Sequence, residues 1–404
     1  MAGFAPFGQC LAPFRFKLPP VPRLARVICG GENPLSTARN AGWGGKRGVP
    51  RHYSHSVLDE DAAGCLRCLA DPEASDAWPL PQLTGDQVEA LFLAAQAHGV
   101  LPAVFRAVKS RLKAVGGRPG KRATDFGPYA GAIQAAEERL HIVVGQSLRL
   151  YGYAEKAMAA LTAAGLDAAT VKGPVFASLL YPRRSDRSYT DIDILIDRSA
   201  IKATGAVMRE LGFEPLRIEG RDSDVYGEHK WVLPADSSIM IELHEGLVHS
   251  PTMRRSLSLD LAQCRMAGGG DAADATALLL VAGVHAAAGD HFDRLQPLVD
   301  VMQAARGRAG PVDEARLLQV GAQSGCLRAV AVALRVAGRV FSEVRCMELA
   351  ERLMPRANRL ETLLVAPSVV LAAQSAAGRR VSWRRKIVRQ LIRRPVRRPA
   401  RAEG

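Results

Sequence analysis

The hydrophobic period of this 404-residue chain changes twice, and no single motif constrains the fold as strongly. Up to Gly165 apolar residues recur at helical spacing. In "TGDQVEALFLAAQAHGVLPAVFRAVKSRLKAV" (84–115) Val88, Leu91, Phe92 and Ala95 share one side, and Thr84 or Asp86 can cap the start. Residues 129–165 read as a second, longer helical stretch closed by Gly165. Between 166 and 250 short Val/Ile/Leu runs alternate with short helical patterns. From about 251 the helical period returns, with 271–292 and 294–307 as its first helices. A small sheet of this kind has to cover its apolar surface with helices. The prediction is α+β: a small mixed β-sheet core flanked by N- and C-terminal helical segments.

Six segments follow: 1–58, a Gly/Pro/Arg-rich arm without periodicity, read as disordered; 59–165, helical; 166–250, the sheet-bearing core; 251–350, a helical bundle; 351–378, a helical extension; and 379–404, a basic tail. The formal net charge of +14 resembles a signal for nucleic acid or membrane, but its distribution argues otherwise. Residues 1–58 carry +7 and residues 379–401 carry +11, which leaves the rest at −4. The body is mildly acidic and the ends are basic.

Inside the core, "YTDIDILID" (189–197) sets two aspartates one residue apart within an apolar strand. Strand side chains alternate, so Asp191 and Asp193 share one face while Ile192, Ile194 and Ile196 share the other. Two carboxylates that close repel unless a cation lies between them, and hard Mg²⁺ prefers carboxylate oxygen. In "IMIELHE" (239–245) the same alternation aligns Met240, Glu242 and His244. A neighbouring strand would bring Glu242 within reach of a shared metal site.

Upstream, "TVKGP" ends a strand at Gly173 and opens a helix at Pro174. The glycine allows close backbone approach, Lys172 adds a cation, and Arg183, Arg184 and Arg187 lie in the loop that follows. The ordered set, KG turn, short helix, arginine loop, DxD strand, helix and ExH strand, predicts a metal–nucleotide site.

With "VKGPVFASLLYP", "RSYTDIDILID", "AVMRELGF" and "IELHEGL", the chain resembles an uncharacterised bacterial nucleotidyltransferase family of the polymerase-β-like superfamily. The resemblance covers about residues 90–340. It implies transfer of a nucleoside monophosphate from an NTP to an unidentified acceptor, with pyrophosphate released and one or two Mg²⁺ as cofactor. On these positions Asp191, Asp193 and Glu242 would be metal ligands and catalytic groups, with Glu242 the possible general base. Lys172 and Gly173 would hold the triphosphate. By their place in the sequence, Arg187 in the loop would also meet the triphosphate, and His244 on the face of Glu242 would contact substrate, orient a carboxylate or serve the structure alone. One departure is plain: many superfamily members have Gly-Ser at the turn, where this chain has Gly173-Pro174.

Two other readings stay open. One is an inactive nucleotide-binding or interaction module. The other assigns the work to the tail, where Trp383, Ile387 and Leu391 recur at i, i+4 among arginines, a pattern suited to an anionic membrane or RNA. Trp231 is expected in the core, and His285, His291 and Asp300 in helix packing. The lone "CLRC" of Cys65 and Cys68 lacks a second pair and is read as free thiols. No apolar run reaches the ~20 residues of a membrane span, so a cytoplasmic enzyme is expected.

Overall fold

The computed structural model describes residues 60–74, 83–116, 123–217, 222–355, 366–372 and 379–393, together with Leu58 and Leu363. All belong to one unit, His55–Gly404. The basic arm, apart from Leu58, lies outside the described residues, as do most of 356–378 and all of 394–404.

Five strands form one mixed sheet in the order β1-β2-β5-β4-β3. They are β1 (Ala168–Val171), β2 (Ile192–Ile196), β3 (Glu214–Pro215), β4 (Glu228–Leu233) and β5 (Asp236–His244). β4 and β5 form a hairpin through Pro234–Ala235. β1 is antiparallel to β2, whereas β2 and β5 run parallel. Between those parallel neighbours the chain passes through the helix Ile201–Glu210 and both remaining strands, as a parallel pairing requires. Within 213–217 the stretch "FEPLR" contributes the two-residue β3.

Each face of the sheet enters a different core. Ile192, Ile194 and Ile196 pack with Ile241, Leu243 and Trp231. Over them lie Leu150, Ala154, Ala157 and Leu161 of the long helix Ala130–Ala163, and Val207 and Met208 of Ile201–Glu210. Gly205 lets that helix approach, since a Cβ there would stand 3.1 Å from the Trp231 ring. On the opposite face, Val171 and Leu195 join Phe176, Leu180 and the larger core of the flanking helices.

The N-terminal helices begin with Glu60–Ala70 and Gly85–Ala97, the latter capped by Thr84 in a reciprocal box with Gln87. Ahead of the long helix a 3₁₀ segment spans Ala123–Tyr129, while 117–122 lie outside the described residues. Cys65 is buried and Cys68 exposed on Glu60–Ala70. In the bundle every residue of Ala275–Val284 is buried, so this helix is central.

The single helix expected over 271–292 is broken. A π turn spans His285–Gly289, and His291 and Phe292 follow at φ 61° and 59°. The left-handed pair turns Phe292 fully inward, and Asp290 Oδ1 accepts from the amides of Asp293 and Arg294 at 2.9 Å each. The chain then enters Leu295–Ala305.

The tail forms a helix, Arg379–Ile392, but packs against the body. Val388, Leu391 and Ile392 are buried, while Trp383, expected on the same apolar face, is 64% exposed. Arg384 and Arg385 both bind Asp293, and Arg389 Nε donates to His291 Nε2 at 2.9 Å. Among the described residues no helix is long and apolar enough to cross a membrane.

Candidate active site

β1 ends at Val171, which lies opposite Asp193 and shares its face. In a regular strand the next residue, Lys172, would project to the isoleucine face. Instead Lys172 adopts φ 58°, ψ −135°, a conformation that costs a non-glycine residue on the order of 1–3 kcal/mol. The twist turns its side chain back, and Nζ lies 2.6 Å from Asp193 Oδ1. Gly173 opens the seven-residue helix Gly173–Leu179. A Cβ there would meet the Asp191 carbonyl at 3.4 Å and the Tyr189 ring at 3.5 Å, ordinary contacts, so packing alone does not demand glycine.

The parallel register sets Asp193 directly beside Glu242 and Leu195 beside His244. Both carboxylates and His244 are therefore on one face and buried. His244 Nε2 lies 2.8 Å from Asp193 Oδ1 and 3.7 Å from Glu242 Oε2. The hairpin adds Lys230 opposite Glu242 and Glu228 opposite His244. Lys230 binds Glu242 and also Glu228, the latter at 2.8 Å. Burial raises the Asp193 carboxyl, but the Lys172 ammonium and the His244 hydrogen bond outweigh it and hold the group well below its usual range. Asp191, one residue before β2, behaves oppositely: burial, then the charges of Asp193 and Glu242, push it up to about 6.

Asp191, Asp193, Glu242 and Glu228 thus confront two ammoniums. The excess of negative charge and the raised Asp191 carboxyl favour a hard divalent cation, for which Asp193 and Glu242 offer carboxylate oxygens. Asp193, Glu242 and His244 have potential ligand atoms within 4.8 Å of one another.

The loop arginines do not join this cluster. Arg187, expected on the triphosphate, is 4% exposed and forks onto Asp300 through Nε and Nη2, both at 2.8 Å. Its Nη1 donates to the Gly173 carbonyl at 3.3 Å. Tyr181 Oη donates to the same Asp300 at 2.7 Å. Arg184 stacks over the Tyr151 ring at 4.7 Å. Arg187 and Asp300 therefore brace the turn from behind.

A family model described as an uncharacterised nucleotidyltransferase matches residues 84–342. The chain belongs to that family. The match runs from the Thr84 cap through the whole sheet and most of the bundle, and stops short of the basic helix. Membership brings nucleotidyl transfer as the general activity. No curated protein and no solved structure matches the chain.

Sequence reasoning missed Glu228, Lys230 and His249. The first two were within reach, since hairpin pairing puts 228 and 230 on the face of 244 and 242. His249 Nδ1 lies 3.5 Å from Glu228 Oε2 in the loop after β5, where no periodicity signals it.

Proposed function

We propose that the protein is a Mg²⁺-dependent nucleotidyltransferase that moves a nucleoside monophosphate from an NTP to an acceptor hydroxyl or phosphate oxygen. The observation that carries this reading is the pairing of Asp193 with Glu242 across parallel strands. Asp191, Asp193 and Glu242 would hold one or two Mg²⁺. Bound there, the cation would neutralise triphosphate charge and polarise the α-phosphorus.

The chain's own groups do the rest. Lys172 holds Asp193 and Lys230 holds Glu242 and Glu228, which leaves two N–H donors on the first and one on the second for phosphate oxygens. They matter because the helix at Gly173 is short and Pro174 removes one amide donor. Gly173 leaves the backbone bare for close approach, and Arg187 fixes its carbonyl without touching the nucleotide. Glu242 is bound by Lys230 through Oε1, which leaves Oε2 to accept the proton of the acceptor. In the transfer, a bond forms from the acceptor oxygen to the α-phosphorus as the bond to the β-bridging oxygen breaks. Pyrophosphate carries away the electron pair. Catalysis is chiefly positioning and charge stabilisation.

The test is pyrophosphate release from each of the four NTPs with Mg²⁺. Asp193→Asn should reduce turnover at least ~100-fold, about the loss of one strong electrostatic contact in a dry site. Thermal melts accompany it, since the substitution also removes the counter-ion of Lys172. A folded variant that retains turnover within tenfold of the parent would defeat the assignment. NTP binding without turnover in the parent would point to the inactive module instead.

A further inference from the structure

Beside the carboxylates lies a second group of different chemistry. Glu228 and His244 are direct cross-strand partners, and His249 returns beside them from the loop after β5. The two imidazoles stand 4.8 Å apart at 45°. Potential ligand atoms of all three residues fall within 4.8 Å of one another. His249 Nδ1 is 3.5 Å from Glu228 Oε2, close to the roughly 3.4 Å edge that ~2.1 Å bonds give in a tetrahedral zinc site.

The nitrogens carry the argument. His244 is 0% exposed, and its Nε2 is committed to Asp193. A neutral imidazole that donates Nε2–H to a carboxylate keeps a lone pair on Nδ1. His244 Nδ1 is buried and has no hydrogen-bond partner, and the same is true of His249 Nδ1. A carboxylate on one ring nitrogen and a cation on the other is the usual environment of a metal-binding histidine. Glu228 meets Lys230 through Oε1 and turns Oε2 toward His249.

We propose that Glu228, His244 and His249 form a second metal position, which takes a borderline first-row ion such as Zn²⁺ or Co²⁺ in preference to Mg²⁺. Two nitrogens and one oxygen suit such an ion, whereas Mg²⁺ selects oxygen alone. Three protein ligands leave at least one coordination place open. The site goes beyond the nucleotidyl-transfer reading and does not depend on it. His244 links the two positions, since the nitrogen opposite the proposed ligand atom rests on Asp193.

The experiment uses untagged full-length protein stripped with EDTA, without nucleotide. Co²⁺ alone is titrated and followed by visible absorption, then displaced with Zn²⁺. One equivalent should bind at micromolar concentration and survive a thousandfold excess of Mg²⁺. His249→Gln and Glu228→Gln, checked for folding by circular dichroism, should each weaken it at least 100-fold. X-ray absorption of the zinc-loaded parent should count two imidazoles, which tests the site even if both variants unfold. No uptake by the parent, full affinity in a folded His249→Gln, or fewer than two imidazoles would each overturn the proposal. Mg²⁺-dependent pyrophosphate release is measured separately, so either reading can fail alone.

Discussion

Replacing Asp300 with asparagine should destabilise the fold by about 3–5 kcal/mol, the cost of leaving one member of a buried ion pair alone. Asp300 is 0% exposed and Arg187 4%, so water cannot rescue the guanidinium. The carboxylate accepts two Arg187 bonds at 2.8 Å and the Tyr181 hydroxyl at 2.7 Å. Asparagine keeps the shape and one acceptor oxygen but loses the charge. At about 2 °C per kcal/mol for a domain of this size, the melting temperature should fall by roughly 6–10 °C. Urea titrations of Asp300→Asn, Arg187→Met and the double variant form the assay. Once the cation is gone, no charge is stranded, so the double variant should lose about 2 kcal/mol less than the sum of the singles. Additivity within about 0.5 kcal/mol would show that the pair is not coupled and that the turn at Gly173 is braced by something else.

Gly173→Ala should melt within a degree or two of the parent, because its Cβ meets only ordinary contacts, yet raise the KM for NTP about tenfold if the bare backbone serves phosphate; an unchanged KM would remove Gly173 from the site. Truncation after residue 378 should lower stability by roughly 5 kcal/mol, since the buried Val388, Leu391 and Ile392 are lost with it; an unaltered urea midpoint would mean the basic helix is not part of the fold. Burial lowers His98 to about 4. Its neutral form is favoured in the fold, so the stability it confers is complete above the unfolded value near 6.5 and is lost as pH falls toward 4. The amount is up to about 3 kcal/mol, and His98→Gln should flatten that part of the pH–stability curve. Lys172→Gly should relieve about 1–3 kcal/mol of backbone strain but strand the buried Asp193 carboxylate, so stability should fall by about 2 kcal/mol as NTP turnover collapses; retained turnover would remove the lysine from the chemistry.

The sheet face was readable because alternation in a strand is strict. Ile192, Ile194 and Ile196 opposed to Asp191 and Asp193 needed no tertiary information, and IELHE obeyed the same rule. Lys172 was legible as a cation at the turn, but not how it reaches Asp193, since its left-handed backbone overrides the alternation that would have sent it elsewhere. Arg187 was misplaced for a related reason. A polar loop with three arginines looks like a phosphate-binding surface, and Asp300, which draws Arg187 inside, lies 113 residues away on a helix of the bundle. The break at 285–292 was equally hidden, because the groups that accompany it are not local: Phe292 is buried in the core, and the arginines that hold Asp293 come from the far end of the chain.

Because the partner strands run in step, hiding the isoleucines and gathering the acids are one event. A one-residue slip of β2 against β5 would turn Asp193 toward the apolar core while Glu242 stayed in place, and would move the isoleucine row to the charged face. No well-packed yet scattered version of this centre is available to the chain. Variants that lose the centre with the fold intact must therefore arise from changes in the charged side chains or in the twist at Lys172, and for any other substitution hydrogen exchange in the β2–β5 ladder should report whether the two carboxylates are brought together.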